Sequence, residues 1–168
     1  GCFLFAHWDT GEHAIVLRVS ACGDSEDGAR RKVAPFASPP AAARMIGQAR
    51  GEALPFSELF RLSPMPSGKR VAADHLWSDT AIGDLLLAVH DLPAPSPDST
   101  IDIVACGGHT PVAMPRDAAL SVSGGTGVGI YGLWDDPAHD DANRAWVRRV
   151  DAALAPFRTG RYVGEADL

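Results

Sequence analysis

Cysteine is scarce in this sequence, and its three copies form no recognisable pattern. Cys2, Cys22 and Cys106 lie far apart and make no C-x-x-C pair; such a sparse, odd set suits neither a disulfide framework nor a zinc–thiolate site. Long apolar segments are missing too, because no run approaches the roughly 20 residues that cross a bilayer. The early segment CFLFA also has no basic flank typical of a signal peptide. We therefore predict a cytoplasmic protein with no membrane partner.

Concentrated positive charge and paired metal ligands are absent as well. The net charge is −6, and the basic residues occur in short, separated groups at 30–32, 69–70 and 148–149. No continuous basic surface is therefore available for a nucleic-acid backbone. The six histidines form no H-x-x-x-H or H-E-x-x-H pair, which argues against a metal site. Neither a nucleic-acid partner nor a bound metal is expected.

The composition itself is that of a globular protein. The chain has 168 residues, of which 46% are apolar and 21% are charged, and this length is sufficient for one hydrophobic core. We predict a single domain over residues 1–168. Because the sequence starts with Gly1, at the edge of an apolar run, we also expect it to be one part of a longer polypeptide.

The order of the apolar segments predicts an α+β fold. Residues 2–8 and 13–21 are rich in aromatic and β-branched types and flank the turn-forming DTGE, which is typical of a hairpin. Asp24 or Ser25 is expected to cap the first helix. Further elements are predicted in this order: a short helix in FSELFRL, a strand over 69–78, a helix capped by Ser78 or Asp79, a strand over 99–106, two strands between 116 and 134, and a helix after Pro137. Since strands and helices do not alternate regularly, we predict an antiparallel sheet with helices packed on one face, of the ferredoxin-like type.

Two glycine-rich stretches have the composition of cofactor loops. They are GGTGVG at 124–129 and GGH at 107–109. A dinucleotide loop needs a strand before it and a helix after it, but the first stretch is followed by the strand-like IYGLW. Pro111 and Pro115 prevent a helix after the second stretch. Strand glycines, a bulge or a strand end are therefore favoured over cofactor binding for both.

Four aromatic side chains are candidates for ligand contact. His75 and Trp77 are two residues apart in a predicted strand and so share one of its faces, which suits either an aromatic ligand or a packed sheet. Tyr131 and Tyr162 are the only tyrosines. A tyrosine can act as a general base when the pKa of its phenol is lowered, although most tyrosines bury the ring and satisfy the hydroxyl.

Several motifs of the second half occur in the same order in a known family. They are Gly107-Gly108, Trp134-Asp135-Asp136-Pro137, Trp146-Val147-Arg148, Ala153-Leu154-Ala155-Pro156 and the closing segment Tyr162 to Leu168. In this order and at these spacings they resemble the C-terminal part of the berberine-bridge-enzyme-like FAD-linked oxidases, within the vanillyl-alcohol-oxidase/PCMH flavoprotein superfamily. The first half is similar to the same pattern more loosely, through its hairpin, its helix and the segment 68–89.

The resemblance implies that the chain is the substrate-binding domain of a larger oxidase, whose FAD-binding domain precedes it in the same polypeptide. It implies hydride transfer from a small-molecule substrate to FAD, with reoxidation by O₂. The chain alone is expected to hold no FAD and to be inactive, because the flavin carries the redox chemistry. Sheet residues of this domain cover the flavin ring in the family, so that His75, Trp77, Tyr131 and His109 become candidates for substrate binding.

One departure from the family concerns the catalytic base. Where the family has Asn and then Tyr after the first tyrosine of its closing segment, this chain has Gly164 and Glu165. The resemblance implies flavin contacts for Tyr162 and Gly164. It implies a catalytic role for Tyr162, or for Glu165 in place of the missing tyrosine. The alternative is a small non-enzymatic α+β module that binds a ligand or forms a homodimer through its exposed sheet.

Overall fold

The computed structural model describes residues 2–9, 12, 14–37, 51–59, 67–105, 124–162 and 164. Six strands and four α-helices lie within these ranges. In chain order they are β1 (Cys2–Asp9), β2 (Ala14–Ala21), α1 (Glu26–Val33), α2 (Phe56–Leu59), β3 (Arg70–Ser78), α3 (Ile82–Val89), β4 (Thr100–Ala105), β5 (Thr126–Trp134), α4 (Asp140–Leu154) and β6 (Arg158–Arg161). Among the described residues, no helix is both long and apolar enough to cross a membrane.

The chain divides into two compact units. The first consists of Gly1–Phe3 and Val19–Ser67, and the second of Leu4–Arg18 and Gly68–Leu168. In the first unit, Ser25 caps α1 as predicted: its Oγ accepts a hydrogen bond from the backbone N–H of Gly28 at 3.2 Å. Such a cap satisfies one of the free N–H groups at the start of a helix.

The strands form one sheet in the order β2-β1-β4-β5-β3-β6. The pairings of β1 with β4, β4 with β5, β5 with β3, and β3 with β6 are all antiparallel. The predicted α+β class, with an antiparallel sheet, is therefore confirmed. The short strand β6 was not predicted, because four residues that include a glycine give no clear alternation.

One face of the sheet packs against α3 and α4 and is called the core face. The buried residues of this core are Ala6, Leu76, Leu85, Val89, Ile101, Ile103, Val128, Ile130, Trp146, Val147, Val150 and Leu154. Those from the helices recur every three or four positions, which gives each helix one apolar stripe. Trp146 is fully buried, and its Nε1 donates a hydrogen bond to the carbonyl oxygen of Leu92 at 2.9 Å.

The predicted caps of α3 were wrong. The residue before the helix is Ala81, which makes no side-chain cap. Ser78 instead donates its hydroxyl to the carbonyl oxygen of Phe157 at 2.8 Å, and the carboxylate of Asp79 accepts the backbone N–H of Gly125 at 2.9 Å. Both side chains therefore connect the end of β3 to other parts of the second unit.

Candidate functional site

The sheet has a second face, formed by the side chains that point away from α3 and α4. Residues paired directly across neighbouring strands lie on the same side of a sheet. Asp102 pairs with His7 on one side and with Gly129 on the other, and Gly129 pairs with His75. We call this surface the polar face. It includes His7, His75, Trp77, Thr100, Asp102, Gly127, Gly129 and Tyr131, and by the same register also Phe5, Asp9, Ala73 and Val104.

Three rings meet at one end of the polar face. The rings of His75 and Trp77 make an edge contact, with centroids 5.4 Å apart and planes at 66°. Tyr162 follows β6 directly, and its ring meets His75 in the same manner, at 5.3 Å and 72°. The structure thus brings together three of the residues selected from the sequence. All three are partly buried, so that a ligand on this face would contact ring edges and surfaces.

Glycines of β5 make room for these rings. A Cβ atom on Gly129 would lie 2.5 Å from Cε2 and 2.7 Å from Oη of Tyr131, so the tyrosine ring occupies the space directly above Gly129. A Cβ atom on Gly127 would lie 3.2 Å from the indole of Trp77 and 3.3 Å from the imidazole of His75. Both glycines belong to β5, as predicted for strand glycines, whereas Gly124 and Gly125 lie in the bend before the strand.

A polar cluster that the sequence analysis missed lies at the other end of the face. His7 Nδ1 donates to Asp102 Oδ1 at 2.9 Å, and Thr100 Oγ1 lies 2.9 Å from the same nitrogen. The Thr100 hydroxyl also lies 3.1 Å from Asp102 Oδ1. In the sequence, each strand of this cluster shows a polar residue at an alternate position within an apolar segment, as in FLFAHWD and TIDIVA. This pattern does not reveal that the two polar residues meet, because β1 and β4 are far apart in sequence.

The environment of His7 favours the charged imidazolium. Its hydrogen bond to the Asp102 carboxylate is the largest cause of a pKa raised above the ordinary value of 6.5. Asp9 raises the pKa further, whereas partial burial and the guanidinium of Arg18 lower it. The side chain of His7 remains 38% exposed and that of Asp102 21% exposed, so a ligand on the polar face could reach the pair.

The remaining predicted site residues are only partly covered by the structure. His109 and Glu165 lie outside the described residues. Gly164 is exposed, and a Cβ atom placed on it would lie 3.0 Å from Cζ of Tyr162. Gly164 therefore lies against the ring cluster. In the part of the chain that the structure describes, no group of three or more His, Cys, Asp or Glu side chains could hold a metal ion.

The polar face fits the ring of a flavin better than its phosphates. The indole Nε1 of Trp77 is buried and has no hydrogen-bond acceptor among the described residues, and a buried donor of this kind is normally satisfied. A carbonyl or ring nitrogen of a planar ligand would satisfy it. A phosphate cradle needs glycines with backbone N–H groups turned to one side, and across the described ranges only Gly68, in the turn before β3, has a positive φ.

Comparison with known proteins gives matches at the level of structure. No protein-family model matches the chain, and no curated protein matches it. Three similar solved structures are CrmK, a flavoenzyme of caerulomycin biosynthesis (TM-score 0.72, 16% identity), GilR, an oxidoreductase that catalyses the terminal step of gilvocarcin biosynthesis (0.74, 18%), and 6-hydroxy-D-nicotine oxidase from Arthrobacter nicotinovorans (0.63, 16%).

The alignments cover nearly all of this chain but only a part of each of the other proteins. They include 97%, 92% and 99% of this chain, against 37%, 34% and 39% of CrmK, GilR and the nicotine oxidase. At such low sequence identity the likeness concerns the fold. The chain therefore has the fold of one portion, somewhat over a third in length, of three redox enzymes.

Proposed function

We propose that the chain is the substrate-binding domain of an FAD-dependent oxidoreductase of the berberine-bridge-enzyme-like type. The observation that carries the proposal is the fold shared over almost the whole chain with one portion of three redox enzymes, one of them described as a flavoenzyme. The partner of this domain would be an FAD-binding domain in the same polypeptide. The motif resemblance noted in the sequence points to the same class independently of the fold.

The polar face supports the proposal because it supplies contacts for a planar ring and its substrate. His75, Trp77 and Tyr131 would hold the body of a small-molecule substrate through ring contacts. Tyr162 and Gly164 would lie on the flavin side, where the buried N–H of Trp77 would also find an acceptor. His109 is kept as a substrate contact. Tyr162 and Glu165 are kept as catalytic candidates.

Bound FAD would supply the two-electron oxidant that accepts hydride from the substrate and is reoxidised by O₂. The described residues of this chain would bind and orient the substrate and exclude water from it. FAD would be held mainly by the other domain, since a site for its phosphates requires a cradle of backbone N–H groups. By itself the chain would be inactive, and its polar face would be free to form a homodimer.

The proposal is tested by expressing the full-length gene product in flavin-replete cells. We expect a yellow protein whose visible absorption is that of bound flavin. Trp77→Ala and His75→Ala should shift this absorption, because they change the surroundings of the flavin ring. Leu87→Ala is the control: this side chain is 66% exposed on α3, which packs on the core face, so the spectrum should not change.

A colourless full-length product under these conditions would refute the proposal. A gene whose reading frame starts near Gly1 and stops near Leu168 would also refute the proposal. It would favour a small module that binds a ligand or dimerises. Size-exclusion chromatography of the chain alone would then measure the dimer directly.

A further inference from the structure

The cluster of His7, Asp102 and Thr100 lies on the polar face and has no part in the proposed function. Its three side chains come from two strands, β1 and β4, that are paired with each other, so their positions are set by sheet register and not by a loop. Side chains on strands are held more precisely than side chains on loops. The cluster therefore has the rigidity that proton transfer requires.

The hydrogen bonds of the cluster select one tautomer of His7. Asp102 and Thr100 both lie within 2.9 Å of Nδ1, and a carboxylate can only accept, so Nδ1 carries the proton. In the neutral imidazole, Nε2 is then the acceptor. The Thr100 hydroxyl is 3.4 Å from Nε2, which is too long for a good hydrogen bond. Nε2 is thus available to a ligand.

We propose that His7, positioned by Asp102 and Thr100, accepts a proton from a substrate hydroxyl on the polar face, and so takes the role of base that the resemblance gave to Tyr162 or Glu165. The substrate class is a ring compound with a hydroxyl on the carbon that is oxidised. This inference rests on the proposed function. The O–H bond breaks and its proton moves to Nε2. The electron pair left on oxygen forms the C=O bond, while the C–H bond breaks with its electron pair going to the flavin oxidant.

The location of the cluster relative to the rings fits this role. Thr100 pairs with Tyr131, and Asp102 pairs with Gly129, above which the Tyr131 ring lies. The Tyr131 ring therefore lies between His75 on β3 and Asp102 on β4, and a ring compound stacked on Tyr131 would lie beside β4. Its hydroxyl would point towards β4 and β1, where His7 lies. Of the charged groups around His7, Asp102 and Asp9 stabilise a proton on the imidazole and Arg18 opposes it.

The test needs no flavin and uses 4-nitrophenol, a ring compound whose hydroxyl reports its own ionisation by colour. On binding to the 168-residue chain at a pH near the folded pKa of His7, where part of the imidazole is neutral and can take up a proton, the phenolate-to-phenol ratio of the probe should rise by about tenfold, equivalent to about one pKa unit. The nuclear magnetic resonance signals of the His7 ring should move at the same time to those of the imidazolium.

Two variants and one control separate proton transfer from simple binding. His7→Gln should abolish the rise in phenolate while the probe still binds. Asp102→Asn should lower the pKa of His7 measured by nuclear magnetic resonance, and reduce the phenolate signal, because Asp102 acts by positioning and charge. His90→Gln removes an exposed histidine whose Nε2 lies 3.2 Å from the carboxylate of Asp91. It should leave the phenolate signal unchanged.

A phenolate signal that survives in folded His7→Gln protein would overturn the inference, and so would a failure of the wild-type chain to bind the probe. Folding of each variant is checked by its amide spectrum, and Asp102→Asn gives an independent reading if His7→Gln does not fold. A colourless full-length product refutes the proposed function. The probe experiment refutes only the role of His7, so the two failures are distinguishable.

Discussion

The two faces of the sheet are built from the same strands but hold different kinds of side chain. In β5, Val128 and Ile130 are buried on the core face, whereas Gly127, Gly129 and Tyr131 alternate with them on the polar face. The core face is filled by aliphatic groups and by helices. The polar face leaves rings and an ion pair partly exposed. The difference indicates that the apolar packing is concentrated on the core face, and the proposed function assigns ligand contact to the polar face.

Charges on the two faces differ in the same way. Between α4 and the sheet lies a cleft of about 280 Å³, and the carboxylates of Asp74 and Asp151 line it. The guanidinium of Arg161 forms an ion pair with each of them. Its Nη1 lies 2.5 Å from Asp74 Oδ1, and its Nη2 lies 2.9 Å from Asp151 Oδ2. On the polar face, the carboxylate of Asp102 holds a histidine that can change its protonation near neutral pH. The core-side charges connect the helix to the sheet, whereas the His7–Asp102 pair joins two neighbouring strands and stays partly exposed.

The test with the largest expected effect replaces a tryptophan by alanine on each face of the sheet. Trp146→Ala should lower the free energy of unfolding by about 3–5 kcal/mol, because it empties a fully buried site and removes the hydrogen bond to Leu92. Trp77→Ala should cost less than half as much, since the ring is partly exposed and its N–H has no acceptor among the described residues. Urea denaturation measures both. Equal losses would contradict the division between the faces.

The second test concerns the ion pairs between α4 and the sheet. Arg161→Met should lower the free energy of unfolding by about 2 kcal/mol, because it leaves the nearly buried carboxylate of Asp74 without its cation. Arg149→Met on α4 is the control, an arginine whose side chain is exposed, and the change should stay within about 0.5 kcal/mol. If chemical denaturation finds the two variants equally stable, the ion pairs of Arg161 do not stabilise the fold.

A pair of glycines gives a third, smaller test. Gly132→Ala places a methyl group 3.1 Å from Cγ2 of Val147 on α4, and the overpacking should cost about 1–2 kcal/mol. Gly129→Ala meets the ring of Tyr131 instead, and the partly exposed ring can turn away. Its cost should stay below about 1 kcal/mol, with clear changes in the ring signals of Tyr131. A larger loss for Gly129→Ala than for Gly132→Ala would reverse the assignment of the faces.

The sequence predicted the elements better than the site. Apolar periodicity located β3, β4 and α4, because each has the spacing that its packing requires. Alternation also placed His75 and Trp77 on one strand face. It could not bring His7 to Asp102, 95 positions away, since strand order is set by the packing of the whole sheet. The caps of α3 failed for a similar reason: Ser78 and Asp79 bond to residues that are distant in sequence.

The smallest expected effect links the ion pair of the polar face to pH. Because the pKa of His7 is raised in the folded state, the pair adds stability in full below pH 6.5 and loses it as the pH rises through the folded pKa. With 38% of the side chain exposed, solvent screening limits the effect to about 0.5 kcal/mol.

The measurement is urea unfolding of wild type and His7→Gln at about pH 5.5 and about pH 8.5, on either side of the range in which histidine titrates. At the higher pH, wild type should lose the stability that the His7–Asp102 pair contributes, relative to His7→Gln. Asp102→Asn should lose the pH dependence as well, because the carboxylate is its main cause. If the contribution of His7 to the free energy of unfolding increased with pH, the folded state would disfavour the imidazolium. The polar face would then hold His7 as a neutral ring, and the contrast in charge between the two faces would lie in the core-side arginines alone.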